Sequence, residues 1–298
     1  MSAVRFDRYL TLSVFRTLCR GGSGGEKRVP ILMYHSISDD REEGVEPYYR
    51  LATNPRRFAE QMQWLRDSGY RGVSLETALA MLATGESGAR PLAVITFDDG
   101  FRDFYTTAWP IIQRHGFTAT MYLPTAFITS QRKSFRGKEC LTWNEVRELR
   151  AHGICFGSHT VNHPKLHELP WNAIENELKL SKACLEQELE EEIASFAYPY
   201  AFPQEDGHFT KMFTELLCAQ GYRTGVTTVI GRAQAGDDLF CLRRLPANSC
   251  DDRALFVAKL NGAYDWLGPA QHAFRHFKRW TTIPCRAVRK DSETGGKP

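Results

Sequence analysis

Short apolar runs alternate with segments whose hydrophobic residues recur at helical spacing along most of the chain. The apolar runs predict strands at residues 29–35, 70–73, 92–95, 118–123, 154–157, 195–198, 222–227 and 240–245. The helical spacing predicts helices at residues 55–68, 75–83, 103–115, 143–152, 171–189, 209–220 and 251–267. A repeated order of strand and helix favours a parallel sheet, and the number of units indicates an α/β fold of the TIM-barrel type rather than an open sheet.

Two of these helices have clear start signals. Asn54 is a plausible N-cap, and Pro55 follows it at the first helical position. Thr142 and Glu145 have the spacing of a capping box, in which each residue bonds the backbone of the other. The pattern therefore predicts helix starts at both places.

The two ends of the chain differ from its centre. Residues 1–28 combine apolar and basic residues with a Gly-rich linker, and residues 269–298 form a basic tail. Residues 29–268 contain the alternating pattern and predict the main domain. For the N-terminal segment, packing against the domain is favoured over an interfacial membrane helix, and both stay open.

Composition limits the classes of function. The chain has 298 residues, 42% of them hydrophobic, which suits a soluble protein with a large hydrophobic core. Its net charge of +3 is too small to indicate a nucleic-acid partner. The sequence lacks a secretory signal pattern and any CxxC pair among its eight cysteines, so we expect a cytoplasmic protein with reduced thiols.

The candidate chemistry begins after the strand at residues 92–95. Asp98 and Asp99 are adjacent carboxylates, and Gly100 permits a sharp turn after them. Two neighbouring carboxylates repel each other unless a cation lies between them. The alternative is that one aspartate caps the next helix and the other is solvated.

Histidines follow two other predicted strands. His159 and His163 come after the strand at 154–157, and His35 ends the first strand. Strand ends of a βα barrel converge at one mouth, so we expect these histidines near the Asp98–Asp99 pair. Two histidines and one carboxylate form a ligand set with open positions for one divalent metal ion. This set favours zinc, with iron, cobalt or nickel as alternatives.

Three motifs carry a family resemblance over about residues 29–250. Thr-Phe-Asp-Asp-Gly at 96–100, His-Thr-x-x-His-Pro at 159–164 and Phe-Ala-Tyr-Pro-Tyr at 196–200 resemble, in order and context, those of the polysaccharide deacetylases. This is the NodB-homology, or carbohydrate esterase 4, family. The resemblance implies a distorted (β/α) barrel, a divalent metal and hydrolysis of an N-acetyl group from an amino sugar.

The resemblance also implies roles for individual residues. Asp98 matches the catalytic base, and Asp99, His159 and His163 match the metal ligands. Pro199 and Tyr200 match the third motif. In the family, the backbone N–H of the residue after this proline helps to form an oxyanion hole.

Two departures from the family pattern concern the base and the general acid. Many members have an arginine that orients the catalytic aspartate at the position of Ala197. The late Leu-x-His motif that supplies the acid has no convincing match, since His272 and His276 lie in the basic tail. Met33-Tyr34-His35 resembles the branch that includes the poly-N-acetylglucosamine deacetylases, where an early histidine is the acid. That resemblance assigns the acid role to His35, with a buried core histidine as the alternative.

Together these observations predict a metal-dependent hydrolase of carbon–nitrogen bonds other than peptide bonds. We expect its partner to be an N-acetylated carbohydrate, in a polysaccharide or in a lipid- or nucleotide-linked precursor, with peripheral membrane contact for the lipid-linked case. Three alternatives stay open: a non-catalytic metal- or sugar-binding module, a deacylase of a non-sugar amide, and, less favoured, phosphoryl transfer through an aspartate.

Overall fold

Seven parallel strands close into a barrel that has helices on its outer side. The computed structural model describes residues 5–19, 28–85 and 90–273. The strands of the described residues are β1 (Arg28–Val29), β2 (Ile31–Tyr34), β3 (Arg71–Val73), β4 (Leu92–Phe97), β5 (Thr120–Leu123), β6 (Ser134–Phe135), β7 (Lys138–Glu139), β8 (Cys155–Ser158), β9 (Ser195–Ala197), β10 (Thr224–Ile230), β11 (Ala233–Gln234) and β12 (Leu242–Pro246). The barrel order is β2-β12-β10-β9-β8-β5-β4, and β4 pairs with β2 to close it. The predicted barrel is confirmed.

The helices follow the predicted alternation. In the described residues the numbered helices are α1 (Phe6–Leu10), α2 (Arg16–Cys19), α3 (Pro55–Asp67), α4 (Leu75–Thr84), α5 (Trp109–Arg114), α6 (Trp143–Ala151), α7 (Trp171–Leu189), α8 (Gly207–Ala219) and α9 (Arg253–Leu260), and residues 267–273 are helical as well. The side chain of Asn54 accepts bonds from the start of α3, and Thr142 and Glu145 form the predicted capping box of α6. Both predicted helix starts are confirmed.

The barrel is distorted at β4. Its N-terminal half pairs with β3 and its C-terminal half pairs with β5, so two strands share one of its edges. All six residues of β4 are buried, because one face lies in the barrel and the other lies under helices. This central position places the end of β4 in the mouth of the barrel.

Three regions differ from the prediction in detail. The first predicted strand divides at Pro30, and β1 pairs with β11 outside the barrel. The predicted helix at 103–115 begins with a π-helical turn, Phe104–Ala108, before α5. Pro110 has no N–H to donate to the carbonyl of Thr106, which explains the irregular start. The predicted loop at 125–140 contains the β6–β7 hairpin, and α9 ends at Leu260 instead of continuing to 267.

The N-terminal helical segment packs against α9 and the residues after it. Phe15 stacks on Trp266 with a 5.0 Å separation of ring centroids, and the Tyr264 hydroxyl donates to Asp7. Its linker (20–27) and most of the basic tail (274–298, including His276) lie outside the described residues. None of the helices described is both long enough and apolar enough to cross a membrane.

Candidate active site

A cavity of about 280 Å³ opens at the C-terminal ends of the barrel strands. All the side chains that the sequence singled out as catalytic or metal-binding line it: His35, Asp98, Asp99, His159 and His163. Each follows a barrel strand directly or within a few residues, so closure of the sheet brings together residues that are far apart in sequence.

The turn after β4 holds the two carboxylates at the cavity floor. Asp99 and Gly100 both have a left-handed backbone, with φ values of 73° and 65°. A Cβ atom on Gly100 would lie 2.9 Å from side-chain carbons of Leu123 and Ile128, so only glycine fits there without a shift. The tight turn directs the consecutive carboxylates of Asp98 and Asp99 to two different groups of partners.

Asp99, His159 and His163 form the candidate metal site. One potential ligand atom from each lies within 4.8 Å of the others. The Asp99 Oδ1 atom lies 3.6 Å from His159 Nε2 and 3.2 Å from His163 Nε2. Burial alone would raise the pKa of Asp99, but its contacts with the two histidines hold that pKa well below its usual value. The carboxylate is therefore ionised.

The donor atoms fit a divalent metal ion. His159 Nδ1 is 2.7 Å from the Ala197 carbonyl, which fixes the proton on Nδ1 and leaves Nε2 free to bind a cation. Among the described residues, Asp99 Oδ1 is buried without a hydrogen-bond donor. A buried acceptor facing two imidazole nitrogens is the arrangement that a metal would satisfy.

Arg244 orients Asp98, which the sequence had left unexplained. Its guanidinium is fully buried and donates to both carboxylate oxygens of Asp98, at 2.8 and 2.7 Å. It also donates to the Thr227 carbonyl and the Thr96 hydroxyl. Burial would raise the pKa of Asp98, but the charge and the hydrogen bonds of Arg244, together with the two nearest histidines, lower that pKa. Asp98 is thus held as an ionised carboxylate.

Arg244 gave only a weak signal in the sequence. It belongs to the predicted strand at 240–245, next to another arginine, and nothing local distinguishes the inward residue from the outward one. In the structure Arg244 is buried and Arg243 is exposed. An arginine inside a barrel strand needs a buried anion, and that requirement is the clue that could have linked it to Asp98.

His35 lies beside Asp98. Its Nε2 atom is 3.9 Å from Asp98 Oδ2, and its side chain is 16% exposed. Burial lowers the pKa of His35, although the negative charges of Asp99 and Asp98 oppose that shift. The imidazole is therefore mainly neutral near pH 7.

The backbone around the cavity is locally strained. Thr160, His163 and Tyr200 have φ values of 69°, 55° and 58°, like Asp99 in the left-handed region that non-glycine residues avoid. Such strain concentrates at functional sites because the surrounding fold must hold it. Tyr200 lies at the mouth, with its ring 4.7 Å from the His163 ring. Pro199 immediately precedes it in the loop after β9.

Comparisons with known proteins agree with this site. Residues 85–222 match the sequence model of the polysaccharide deacetylase family. The chain is 29% identical over 218 residues to YxkH of Bacillus subtilis (strain 168), a protein provisionally named as a polysaccharide deacetylase; the match covers 73% of this chain and 71% of YxkH. It is 31% identical over 144 residues to the poly-beta-1,6-N-acetyl-D-glucosamine N-deacetylase of Escherichia coli (strain K12), covering 44% of this chain and 20% of that protein.

A solved structure extends the likeness to three dimensions. The deacetylase PplD of Streptococcus pyogenes, determined in complex with acetate, superposes with a TM-score of 0.68 at 29% identity. The superposition covers 79% of this chain and 99% of PplD. In its sequence over residues 85–222 and in its barrel, the chain is therefore similar to the polysaccharide deacetylase (NodB-homology) family.

Proposed function

We propose that this protein is a metal-dependent hydrolase that removes the acetyl group from an N-acetylated amino sugar. The observation that carries the proposal is that two adjacent carboxylates in one cavity have different partners. Asp98 is bound by Arg244 and kept as a base, while Asp99 faces His159 and His163. A base beside a three-residue metal set can carry out the metal-assisted hydrolysis of an amide.

Each group of the chain has a role in this scheme. A divalent ion held by Asp99, His159 and His163 would supply Lewis acidity to the acetamide carbonyl and to the attacking water. Asp98 accepts the proton of the water, a contribution of about 10²–10⁴ in rate. The backbone N–H of Tyr200, after Pro199, donates to the developing oxyanion.

His35 completes the reaction by protonating the leaving amine. Since its pKa is lowered, the resting imidazole is mainly neutral, and it must receive the proton that it delivers during the reaction. Asp98 is the neighbouring group that gains a proton, and its carboxylate lies 3.9 Å from the imidazole. We infer that the proton removed from water passes from Asp98 to His35 and then to the amine.

Arg244 bears on the choice between an enzyme and a binding module. The residue at 197 favoured a non-catalytic module because alanine cannot orient a base. Arg244 supplies the missing contact to Asp98 from another strand, which withdraws the support for that alternative. Phosphoryl transfer through an aspartate would leave the two histidines without a role.

An amino sugar is favoured over a non-sugar amide because the named relatives include a deacetylase of poly-N-acetylglucosamine. Linkage of the sugar to a lipid or nucleotide, a cytoplasmic location and membrane contact through residues 1–28 and 269–298 stay predictions from the sequence. Flotation of the full chain with anionic vesicles would test the membrane contact, and failure to float would contradict it.

The function is tested by metal analysis coupled to acetate release. The protein is stripped with a chelator, reloaded with zinc, iron, cobalt or nickel, and incubated with β-1,6-linked N-acetylglucosamine oligomers or with an N-acetyl-lysine peptide. We expect metal-dependent acetate release from the sugars, and loss of bound metal and of activity in His163→Ala. Equal release by the chelated protein, or release from the peptide alone, would contradict the proposal.

A further inference from the structure

The β6–β7 hairpin places an arginine at the mouth of the cavity. Its two turn residues, Arg136 and Gly137, have φ values of 50° and 78°. Two consecutive positive φ values are the signature of a type I′ turn, in which asparagine or aspartate followed by glycine is preferred. Arginine is disfavoured at the first position, because its Cβ atom crowds the backbone in this left-handed conformation. The hairpin thus retains a side chain that its own turn disfavours.

The Arg136 guanidinium is held between two aromatic rings. Its Cζ atom lies 5.0 Å from the ring centroid of Tyr200 and 5.1 Å from that of Phe135. Both rings also contact the ring of His163, a candidate metal ligand. Arg136 therefore lies one ring away from the metal site, with its long side chain positioned before any ligand arrives.

The charge of Arg136 is unbalanced, unlike that of its neighbours. Arg132 pairs with Glu145, and Lys138 pairs with Asp40. Within the described parts of the chain, Arg136 forms no ion pair with a carboxylate, and its contacts are with the two rings. A guanidinium that stacks on rings keeps its N–H donors available for an oxyanion.

The cavity has its acidic residues at the floor and basic residues at the rim. Among the described residues that line it, the acids are Asp98 and Asp99 at the floor. Arg50 is a second basic lining residue, and its guanidinium donates to the Val45 carbonyl and the Cys250 sulfur. Arg136 and Arg50 therefore both make the rim cationic, and of these two it is Arg136 that has no hydrogen bond to another described residue.

We propose that Arg136 is a specificity residue that binds an anionic group carried beside the acetamido sugar. The shared chemistry is an oxyanion that accepts two hydrogen bonds from a guanidinium, either a phosphate ester or a uronate carboxylate. The proposal rests on the deacetylase function proposed above and adds a preference for acidic over neutral amino sugars. Neutral N-acetylglucosamine chains would lack this contact.

Binding measurements test the proposal apart from turnover. Zinc-loaded protein with Asp98→Asn is titrated calorimetrically with N-acetylglucosamine 1-phosphate, with an N-acetylglucosaminyl-glucuronate disaccharide and with neutral methyl N-acetylglucosaminide. Adding Arg136→Asn is expected to weaken an anionic ligand roughly tenfold and the neutral one less than about twofold. The affinity of Arg136→Lys for an anionic ligand is expected to lie between those of the parent protein and Arg136→Asn, since lysine keeps the charge without the planar guanidinium.

Two controls separate recognition from folding and from net charge. Asparagine suits the turn, so Arg136→Asn should melt no lower than the parent protein. Arg71→Gln removes the same charge from an exposed residue at the start of β3, at the opposite end of the barrel, and should leave all three affinities unchanged.

The outcomes distinguish the two proposals. Charge-selective loss with either the phosphate or the uronate supports the inference and identifies the source of the anion. Equal loss for neutral and anionic ligands, or no loss, overturns it. Acetate release by the wild-type protein from neutral and acidic sugars at equal rates would leave the deacetylase function intact and remove the specificity; no release from any sugar would remove the function itself.

Discussion

Asp98 and Asp251 are both buried carboxylates that pair with a buried cationic side chain. The first pair lies in the cavity, and the second lies within the packed fold. Asp98 receives both of its short bonds from Arg244, and its oxygens line the cavity beside His35. Asp251 receives bonds from Lys259, from Arg5 of the N-terminal segment and from the backbone N–H of Asn248. The first carboxylate is held in position with room for a ligand.

The second carboxylate is fully used by the fold. Asp251 joins α9, the loop after β12 and the N-terminal helical segment, and its side chain is 1% exposed. Equal burial therefore does not distinguish a carboxylate of the candidate site from a structural one. The two carboxylates differ in whether they line the cavity in addition to forming their ion pair. Asp98 does so.

The largest expected effect is that of Asp98→Asn on catalysis. The amide cannot accept the proton of water, so acetate release should fall about 10²- to 10⁴-fold. Zinc content should not change, because Asp99, His159 and His163 are intact. Turnover and metal content are measured on the same zinc-loaded sample, and near wild-type turnover would contradict the role of Asp98 as the base.

Asp251→Asn should act on stability. It leaves Lys259 buried without its counter-ion, a loss of about 3–5 kcal/mol in the free energy of unfolding. Turnover per folded molecule should not change. Urea unfolding measures the loss, and the neighbouring Asp252→Asn is the control: Asp252 caps α9 and pairs with Arg8 at the surface, and asparagine caps equally well. Equal effects of the two variants would refute the comparison.

Arg244→Lys should have an intermediate effect on activity. Lysine keeps a positive charge near Asp98 but cannot form two parallel bonds, so turnover should fall roughly tenfold. Arg244 lowers the pKa of Asp98, and weaker pairing raises it. The acidic limb of the pH–rate profile of the zinc-saturated protein should therefore move to higher pH. An unmoved limb would show that Arg244 does not set the ionisation of the base.

The smallest effect is expected at a partly exposed pair. Burial opposes the ionisation of Glu145, but Arg132, the Thr142 backbone and Arg102 lower its pKa to about 2. A lowered pKa contributes stability above the unfolded value of 4.5, and this contribution is lost as the pH falls toward 2. Glu145→Gln should cost about 1 kcal/mol or less at pH 7, since its arginine partners are exposed to solvent. Urea unfolding at pH 7, 5 and 3 should show this difference shrinking; a constant difference would contradict the assignment.

The barrel was predictable because its strands and helices follow local rules. The apolar run that becomes β4 is buried on both faces. The capping box of α6 depends on two residues that are three positions apart. The gathering of His35, Asp98 and the histidine pair also followed, since strand ends of a barrel meet at one mouth. These features require only the order of the elements.

Arg244 and Arg136 were not predictable in the same way. Arg244 reaches Asp98 across 146 positions of sequence, and its inward direction depends on the register of β12 in the closed barrel. Arg136 lies in a segment that looked like a polar loop, and its position depends on a two-residue turn that the sequence does not favour. Contacts fixed by long-range register or by a strained turn are visible only in the folded chain.

The bond from Arg244 to Asp98 also has a consequence for how such chains diverge. Among relatives that orient the base from the position of Ala197, the guanidinium comes from β9; here it comes from β12, two strands further around the barrel. The two positions are therefore epistatic: Ala197→Arg alone would bring two guanidinium groups to one carboxylate, and loss of Arg244 alone would bring none. Exchange between the two arrangements requires both changes, so position 197 considered in isolation would miss the guanidinium that Arg244 supplies to Asp98.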